Sequence, residues 1–182
     1  MNLYILRHAN AGTPRANEQL DRKRPLDKEG KQQCMLMASF LNGLNIHFDV
    51  VASSPLKRAL QTASLVGMET GYDAKITVTE ALAPEATVPD FQKLVGEFSG
   101  HENVLVVGHN PNLQQFLGAM ISTASLNGNR QNTAGIRMRK GALAKVDCAR
   151  RPATLNWLVE PRMVRTIYSS VTKSSRRKTS KK

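Results

Sequence analysis

The sequence predicts an α/β fold, a three-layer α/β/α sandwich around a mostly parallel sheet. Two observations carry this prediction: short apolar runs alternate with segments of helical periodicity, and no internal repeat occurs at the periods of solenoid proteins. The chain has 182 residues, of which 41% are hydrophobic and only 5% aromatic. That length suits one domain with a largely aliphatic core and is short for two.

The predicted strands are short apolar runs bounded by turn residues. They cover residues 2–6, 48–52, 75–78, 103–107, 142–147 and 154–159, of which the last two form a hairpin around 150–152. Residues 9–24 are predicted to be a polar loop, and residues 122–140 have no clear assignment.

Four predicted helices lie between these strands, each with a start signal before an apolar stripe. The start signals are Pro25 with Asp27, Ser54 with Pro55, Thr87 with Asp90, and Asn110 with Pro111. The first of these helices is expected to end near Gly43.

The net charge of the chain is +12, and half of it lies in residues 173–182, which contain six basic residues and no acidic one. We therefore predict a catalytic domain over residues 1–161 and a basic tail over 162–182 that is disordered from about residue 172. The remaining positive charge favours anionic partners. Nucleic acid is not the expected partner, and only the basic tail would be able to bind it.

The sequence contains no apolar stretch long enough to span a membrane, and its first residues, MNLYILRH, do not resemble a signal peptide. The two cysteines, Cys34 and Cys148, suit neither a disulfide framework nor a metal site by their spacing. A cytoplasmic protein without a membrane partner is the simplest interpretation.

Chemically active residues follow three of the predicted strands. Arg7 and His8 end the first strand, Ser54 follows the second with Arg58 in the next helix, and His109 follows the fourth. Ligands of such sheets bind beyond the carboxyl ends of the strands. If these strands are neighbours, two histidines and two arginines converge near two helix N-termini, which together suit a phosphate group.

This set of residues favours phosphoryl transfer without a cofactor. A neutral imidazole is a good nucleophile, and preorganised cations stabilise the charge that spreads over the phosphoryl oxygens. Two other interpretations are weaker. A metal site lacks a matched third ligand and would lie beside repelling arginines, and purely structural histidines would not require two arginines at matching strand ends.

Three motifs resemble the histidine phosphatase superfamily, which has the phosphoglycerate mutase-like fold: LRHA at 6–9, SSPLKRALQTA at 53–63 and VGHNP at 107–111. The family's first motif is usually Arg-His-Gly, and Ala9 replaces its glycine here. Three further segments are similar to the SixA-type phosphohistidine phosphatases, so the resemblance covers residues 1–161. These segments are RPLDKEG at 24–30, TEALAP at 79–84 and LNWLVEP at 155–161.

The resemblance implies a role for each residue at a matching position. His8 is implied as the phosphoryl acceptor, with Arg7, Arg58 and His109 as the phosphate pocket. Glu80 stands where larger relatives keep a proton donor, although a solvated loop glutamate is the alternative. Larger relatives also carry a polar pocket residue, often Asn, some six residues after the nucleophile. Position 14 is Pro here, and the nearest substitutes are Asn10 and Asn17.

The substrate that the resemblance implies is phosphohistidine in a protein. No insertion is long enough to form a large lid, so an open pocket would admit a phosphorylated side chain of another protein. A small phosphate monoester is the second candidate. A hypothesis of another class is a phosphate-binding or polyanion-binding module without turnover.

Overall fold

A six-stranded mixed sheet forms the centre of the computed structural model, which describes residues 1–122 and 135–179, with side chains through residue 170. Its strands are β1 (Asn2–Arg7), β2 (Val50–Ser53), β3 (Thr77–Val78), β4 (Asn103–Gly108), β5 (Leu143–Asp147) and β6 (Thr154–Val159). The spatial order is β3-β2-β4-β1-β5-β6. The first four strands are parallel to one another, whereas β5 is antiparallel to both β1 and β6.

Helices cover both faces of this sheet. They are α1 (Glu18–Arg22), α2 (Lys28–Gly43), α3 (Lys57–Glu69), α4 (Val88–Glu97), α5 (Asn112–Ile121) and α6 (Pro161–Thr179), with a 3₁₀ helix at Glu80–Leu82. Among the described residues, no inserted helical subdomain interrupts this order. In the same residues, no helix combines the length and apolar character that a membrane span needs.

The alternation of side chains along β1 produces the two cores. Leu3 and Ile5 belong to a cluster with residues of α4 and α5, whereas Tyr4 and Leu6 belong to a second cluster with residues of α2 and α3. All four side chains are almost completely buried, because successive strand residues point to opposite faces and both faces carry helices. The predicted three-layer sandwich with a mostly parallel sheet is confirmed.

Two predicted helix starts differ from the structure by one or two residues. Helix α3 begins at Lys57, after the extended residue Leu56, and the Ser54 hydroxyl accepts a hydrogen bond from the Leu56 amide at 3.3 Å. Helix α5 begins at Asn112. Neither helix has a side-chain cap, because residues 54 and 110 lie in the turn that leads out of the strand before the helix begins.

Helix α1 lies within the segment that was predicted to be a loop. Asn17 caps it by accepting a hydrogen bond from the Leu20 amide at 3.0 Å. None of its five residues is buried. Such a helix has no apolar stripe, so periodicity could not reveal it.

Helix α6 contains most of the segment predicted to be a tail. Its Val164 is buried in the cluster formed with α2 and α3, so the first turns of the helix pack on the domain. The boundary at residue 161 and the disorder from about 172 stay predictions, and residues 180–182 lie outside the described part. Of the unassigned segment 122–140, residues 123–134 also lie outside it.

Candidate active site

The carboxyl ends of β2, β4 and β1 meet at one edge of the sheet, because these strands are parallel neighbours. Arg7 pairs with Gly108 in the register of β1 and β4, so His8 and His109 emerge side by side. Their ring centroids are 5.0 Å apart. The sheet order thus brings together the histidines that the sequence places about a hundred residues apart.

These residues line a cavity of about 220 Å³, which we call the strand-end cavity. Its lining consists of Arg7, His8, Gly12, Pro14, Arg24, Arg58, Pro84, His109, Asn110 and Lys140. Four of these side chains are cationic and none is a carboxylate. His8, Arg58 and His109 are buried, whereas Arg7 and Lys140 are half-buried. The cavity therefore suits an anion.

His8 is held as a neutral imidazole with one nitrogen atom available. Its Nδ1 lies 2.8 Å from the Ala9 carbonyl oxygen, an acceptor that requires the proton to be on Nδ1. Burial is the main cause that lowers the pKa of His8 to about 3, and the nearby charges of Arg58, Arg7 and Lys140 lower it further. Nε2 consequently carries a lone pair and can act as a nucleophile.

Ala9 takes the place of the usual glycine without backbone strain. Among the described residues, Asn45 is the one non-glycine residue with a positive φ, so Ala9 has an ordinary conformation. The Ala9 amide donates to the Thr62 hydroxyl at 3.1 Å, and its side chain is completely buried. The substitution is therefore compatible with the turn that positions His8.

His109 is oriented by Ser54. Its Nε2 lies 2.8 Å from the Ser54 Oγ, and that hydroxyl already accepts from the Leu56 amide. The hydroxyl proton is thus free to be donated to Nε2, which leaves Nδ1 as the protonated nitrogen. Nδ1 is buried and without a hydrogen-bond partner. Burial and the charges around it lower the pKa of His109 to about 2, so the ring is a neutral donor.

The two predicted arginines are anchored at one side of the guanidinium group. Arg7 donates from Nη1 to the Met138 carbonyl at 2.9 Å, and Arg58 donates from Nη1 to the Asp21 carboxylate at 3.1 Å. The Nε atoms of both arginines are buried without a partner. His109 Nδ1 is unpartnered in the same way, so three residues that line the cavity each carry a buried nitrogen donor without a partner. Nitrogen donors of this kind suit phosphate oxygens.

Asp21 and Arg24, which have no predicted role, complete this cluster. Arg24 donates from Nε to Asp21 at 2.7 Å and from Nη1 to the Ala11 carbonyl at 2.8 Å. The hydrogen bond from Arg24 is the main cause that holds the pKa of Asp21 well below its usual range. Asp21 thus links Arg24 and Arg58. Arg24 could have been found from the sequence, because it begins the family-like segment RPLDKEG at 24–30, whereas Asp21 lies in no recognisable motif.

Glu80 does not join the other predicted site residues. It begins the 3₁₀ helix after β3, its side chain is 74% exposed, and its carboxylate lies 3.8 Å from Arg22. It is absent from the lining of the strand-end cavity. In the structure Glu80 is a solvent-exposed residue, and its role as a proton donor stays a prediction.

The polar residue expected near position 14 is not replaced by either suggested asparagine. Pro14 lines the cavity, whereas Asn17 caps α1 and Asn10 binds residues at the start of α2. Asn110 lines the cavity instead, and its amide donates to the Met138 carbonyl at 2.8 Å. Its Oδ1 is buried without a partner.

The lowered pKa values of His8 and His109 predict that the protein loses stability in mild acid. Below about pH 6.5 the unfolded chain binds protons on these histidines, whereas the folded protein does not. The free energy of unfolding therefore decreases as the pH is lowered. The limiting slope is about 1.4 kcal/mol per pH unit for each histidine. Urea unfolding between about pH 7 and pH 5 measures it. His8→Gln is expected to show a shallower slope than the wild type, and equal slopes would contradict the assignment.

Comparisons with known proteins agree with this geometry. The model of the histidine phosphatase superfamily (branch 1) matches residues 3–95. The phosphohistidine phosphatase SixA of Escherichia coli (strain K12) is 32% identical over 115 residues, covering 61% of this chain and 68% of SixA. An uncharacterized protein of Picosynechococcus is 34% identical over 123 residues, covering 66% of this chain and 73% of that protein.

Solved structures extend the likeness over most of the fold. The protein histidine phosphatase SixA complexed with tungstate has a TM-score of 0.77 and 26% identity, covering 90% of this chain and 99% of that chain. A putative alpha-ribazole-5'-P phosphatase from Escherichia coli, at 20% identity, has a TM-score of 0.68 over 88% and 98% of the two chains. The fold is thus phosphoglycerate mutase-like, and the chain is a phosphatase that belongs to the histidine phosphatase superfamily.

Proposed function

We propose that the protein removes the phosphoryl group from phosphohistidine in another protein, with His8 as the transient acceptor. The observation that carries the proposal is the composition of the strand-end cavity, whose lining in the described part of the chain has a neutral histidine, four cations and no carboxylate. The similarity to the phosphohistidine phosphatase SixA of Escherichia coli and to the solved SixA structure supports the same substrate class.

The proposed reaction has two displacements at phosphorus. His8 Nε2 attacks, a new N–P bond forms, and the bonding electrons of the old N–P bond leave with the substrate imidazole. A water molecule then attacks the phosphorus of phosphorylated His8, and the electron pair of the second N–P bond returns to Nε2. Both protons of the water leave on the inorganic phosphate, so His8 is again neutral with its proton on Nδ1. Arg7, Arg58 and His109 hold the phosphoryl oxygens in both steps, which lowers the barrier through preorganised charge.

A leaving imidazole explains why this cavity needs no carboxylate. Imidazole has an ordinary pKa of about 6.5, so its ring leaves as a weak base once its second nitrogen is protonated. The alkoxide of a phosphate ester is far more basic and requires a proton donor as the bond breaks. A lining without an acid therefore favours phosphohistidine over an ester.

Small phosphate monoesters are the second candidate, and exposed Glu80 is the residue that would serve them. The 3₁₀ helix that Glu80 begins ends two residues before Pro84, which lines the cavity, so a leaving group that extends past Pro84 would approach it. We expect Glu80→Gln to slow ester hydrolysis by about 10²-fold or more, and to change phosphohistidine hydrolysis little. The measurement is kcat on both donors. Equal effects would remove the proton-donor role.

A comparison of donors tests the proposed substrate. The protein is incubated, without added divalent metal, with a phosphohistidine-bearing protein and separately with a small aryl phosphate. We expect acid-labile, base-stable phosphate on the protein and a larger kcat/KM for phosphohistidine. Faster turnover of the ester would favour the monoester hypothesis. Binding of phosphate without labelling or turnover of either donor would favour a binding module.

A further inference from the structure

Lys140 is a cavity-lining residue with no assigned role, and its turn is tied directly to the end of β1. The Gly141 amide donates to the carbonyl oxygens of Arg7 and His8, each at 3.2 Å, and the Arg7 amide donates to the Ala142 carbonyl at 3.0 Å. Gly141 has a φ of +74°, which a residue with a side chain rarely adopts. The backbone therefore holds Lys140 beside the nucleophile.

The ammonium group of Lys140 binds a neutral partner. Its Nζ donates to the Asn10 Oδ1 at 2.7 Å, and none of the salt bridges found among the described residues includes it. An ammonium group has three donors, so two remain after this bond. The charge of Lys140 also contributes to the lowered pKa of His8. Lys140 is thus a cation at the cavity that lacks a carboxylate of its own.

Asn10 is held firmly enough to orient this ammonium group. Its backbone amide donates to the Gln33 Oε1 at 2.9 Å, and its side-chain amide donates to the Asp27 and Glu29 carboxylates, both at 2.9 Å. Gly30 allows this packing, because a Cβ there would lie 1.9 Å from the Asn10 carbonyl oxygen. The two carboxylates bind the amide nitrogen, which leaves the amide oxygen for Lys140.

The charges at the cavity exceed the charge of one phosphoryl group. Four cationic side chains line it, and Asp21 pairs with two of them, Arg24 and Arg58. Among the lining residues and Asp21, three positive charges therefore remain for a phosphoryl group that carries at most about two negative charges. Asp27 and Glu29 do not line the cavity and reach Lys140 only through Asn10. The charge balance leaves room for a second anionic group on the substrate.

Depth separates the two anions. His8, Arg58 and His109 are each less than 8% exposed, so the phosphoryl group must reach the buried part of the cavity to meet Nε2 of His8. Lys140 is half-buried, nearer to solvent. Arg7 is equally half-buried, but the Lys140 ammonium group is bound to Asn10, which lies outside the cavity lining. We therefore expect Lys140 to meet the region beside the phosphoryl group.

We propose that Lys140 binds a carboxylate close to the phosphoryl group, namely an acidic side chain beside the phosphorylated residue of the substrate protein. This inference rests on the proposed function and makes Lys140 a specificity-determining residue. Binding there restrains a substrate by a charged hydrogen bond outside the reacting atoms. The protein would then prefer phosphohistidine in acidic surroundings.

Paired phosphohistidine peptides that differ by one neighbouring residue, Glu or Gln, test this inference. We expect the wild type to show a kcat/KM about fivefold higher for the Glu peptide, the upper end for a partly exposed ion pair. In Lys140→Met the ratio is expected to fall to about one, chiefly through a rise of KM for the Glu peptide. The ratio should also decline with added salt in the wild type.

Arg137→Gln is the matched control, because it removes one positive charge from an exposed residue of the same segment outside the cavity. It should keep the wild-type ratio. Lys140→Glu is expected to invert the preference toward a Lys-flanked peptide. A wild-type ratio near one, or an unchanged ratio in Lys140→Met, would overturn the inference. Equal losses on both peptides would also overturn it, since Lys140 would then act on the phosphoryl group.

A pair of aryl phosphates with and without a ring carboxylate separates this inference from the proposed function. If no phosphohistidine peptide is turned over, the proposed substrate is wrong. If the carboxylated ester is then preferred and the preference depends on Lys140, the carboxylate that Lys140 binds belongs to a small-molecule substrate. This result would overturn the inference that it belongs to a substrate protein. The absence of any preference on either pair would overturn the anion site itself.

Discussion

His8→Ala is expected to reduce turnover of every phosphorylated donor by about 10⁵-fold or more and to eliminate acid-labile phosphate on the protein. The reason is structural: His8 is the residue whose neutral Nε2 is available in the cavity, whereas His109 has its Nε2 bound to Ser54. The measurements are single-turnover kinetics and phosphoryl trapping with a labelled phosphohistidine protein.

His101→Ala is the control, because it removes a histidine that is exposed and far from the cavity lining. It should retain both turnover and labelling. Since His8 is buried, circular dichroism and urea unfolding establish that the variant folds, and His8→Asn offers a more conservative replacement. Labelling of His8→Ala at the wild-type level would contradict the assignment of the nucleophile.

Arg58→Ala is expected to lower kcat/KM by about 10²- to 10³-fold, the typical loss when one preorganised donor to a developing anion is removed. Asp21→Asn should show part of the same loss, because Asp21 orients Arg58 through a 3.1 Å contact and binds Arg24 as well. Steady-state kinetics on one phosphohistidine donor and one ester measures both variants.

The double variant Asp21→Asn/Arg58→Ala tests whether Asp21 acts through Arg58. If it does, the double variant is little worse than Arg58→Ala, because residues that act as a unit are not additive. Fully multiplicative losses would mean that Asp21 acts independently. Lys57→Ala is the control, since Lys57 is the exposed neighbour of Arg58 at the start of α3. It should leave kcat/KM unchanged.

The order of the strands in the sheet determines which residues meet in the site. The sequence predicted the strands themselves and the residues at their ends. The predicted runs 2–6 and 103–107 lie within β1 and β4, and His8 and His109 follow them directly. Buried parallel strands appear as continuous apolar runs, so local composition suffices to find them. The rule that ligands bind at the carboxyl ends of such strands predicts a site at this edge, where the structure brings the two histidines and the two arginines together.

Helix α1 and Asp21 show what local patterns cannot predict. Asp21 lies on a five-residue helix without a buried residue, and it matters because Arg24 and Arg58 both reach it. An aspartate in a polar segment carries no signal of its own. Its partners are defined by how α3 packs beside α1, which is a property of the tertiary structure.

The sequence by itself determined the family, the sandwich, and a histidine and arginine set at the strand ends, because these depend on short motifs and on the period of apolar residues. Only the tertiary structure decided the protonation of His8 and His109, the exposure of Glu80 and the contact of Lys140 with Asn10. Burial, charge balance and hydrogen bonds between residues 130 positions apart arise only when the whole chain has folded.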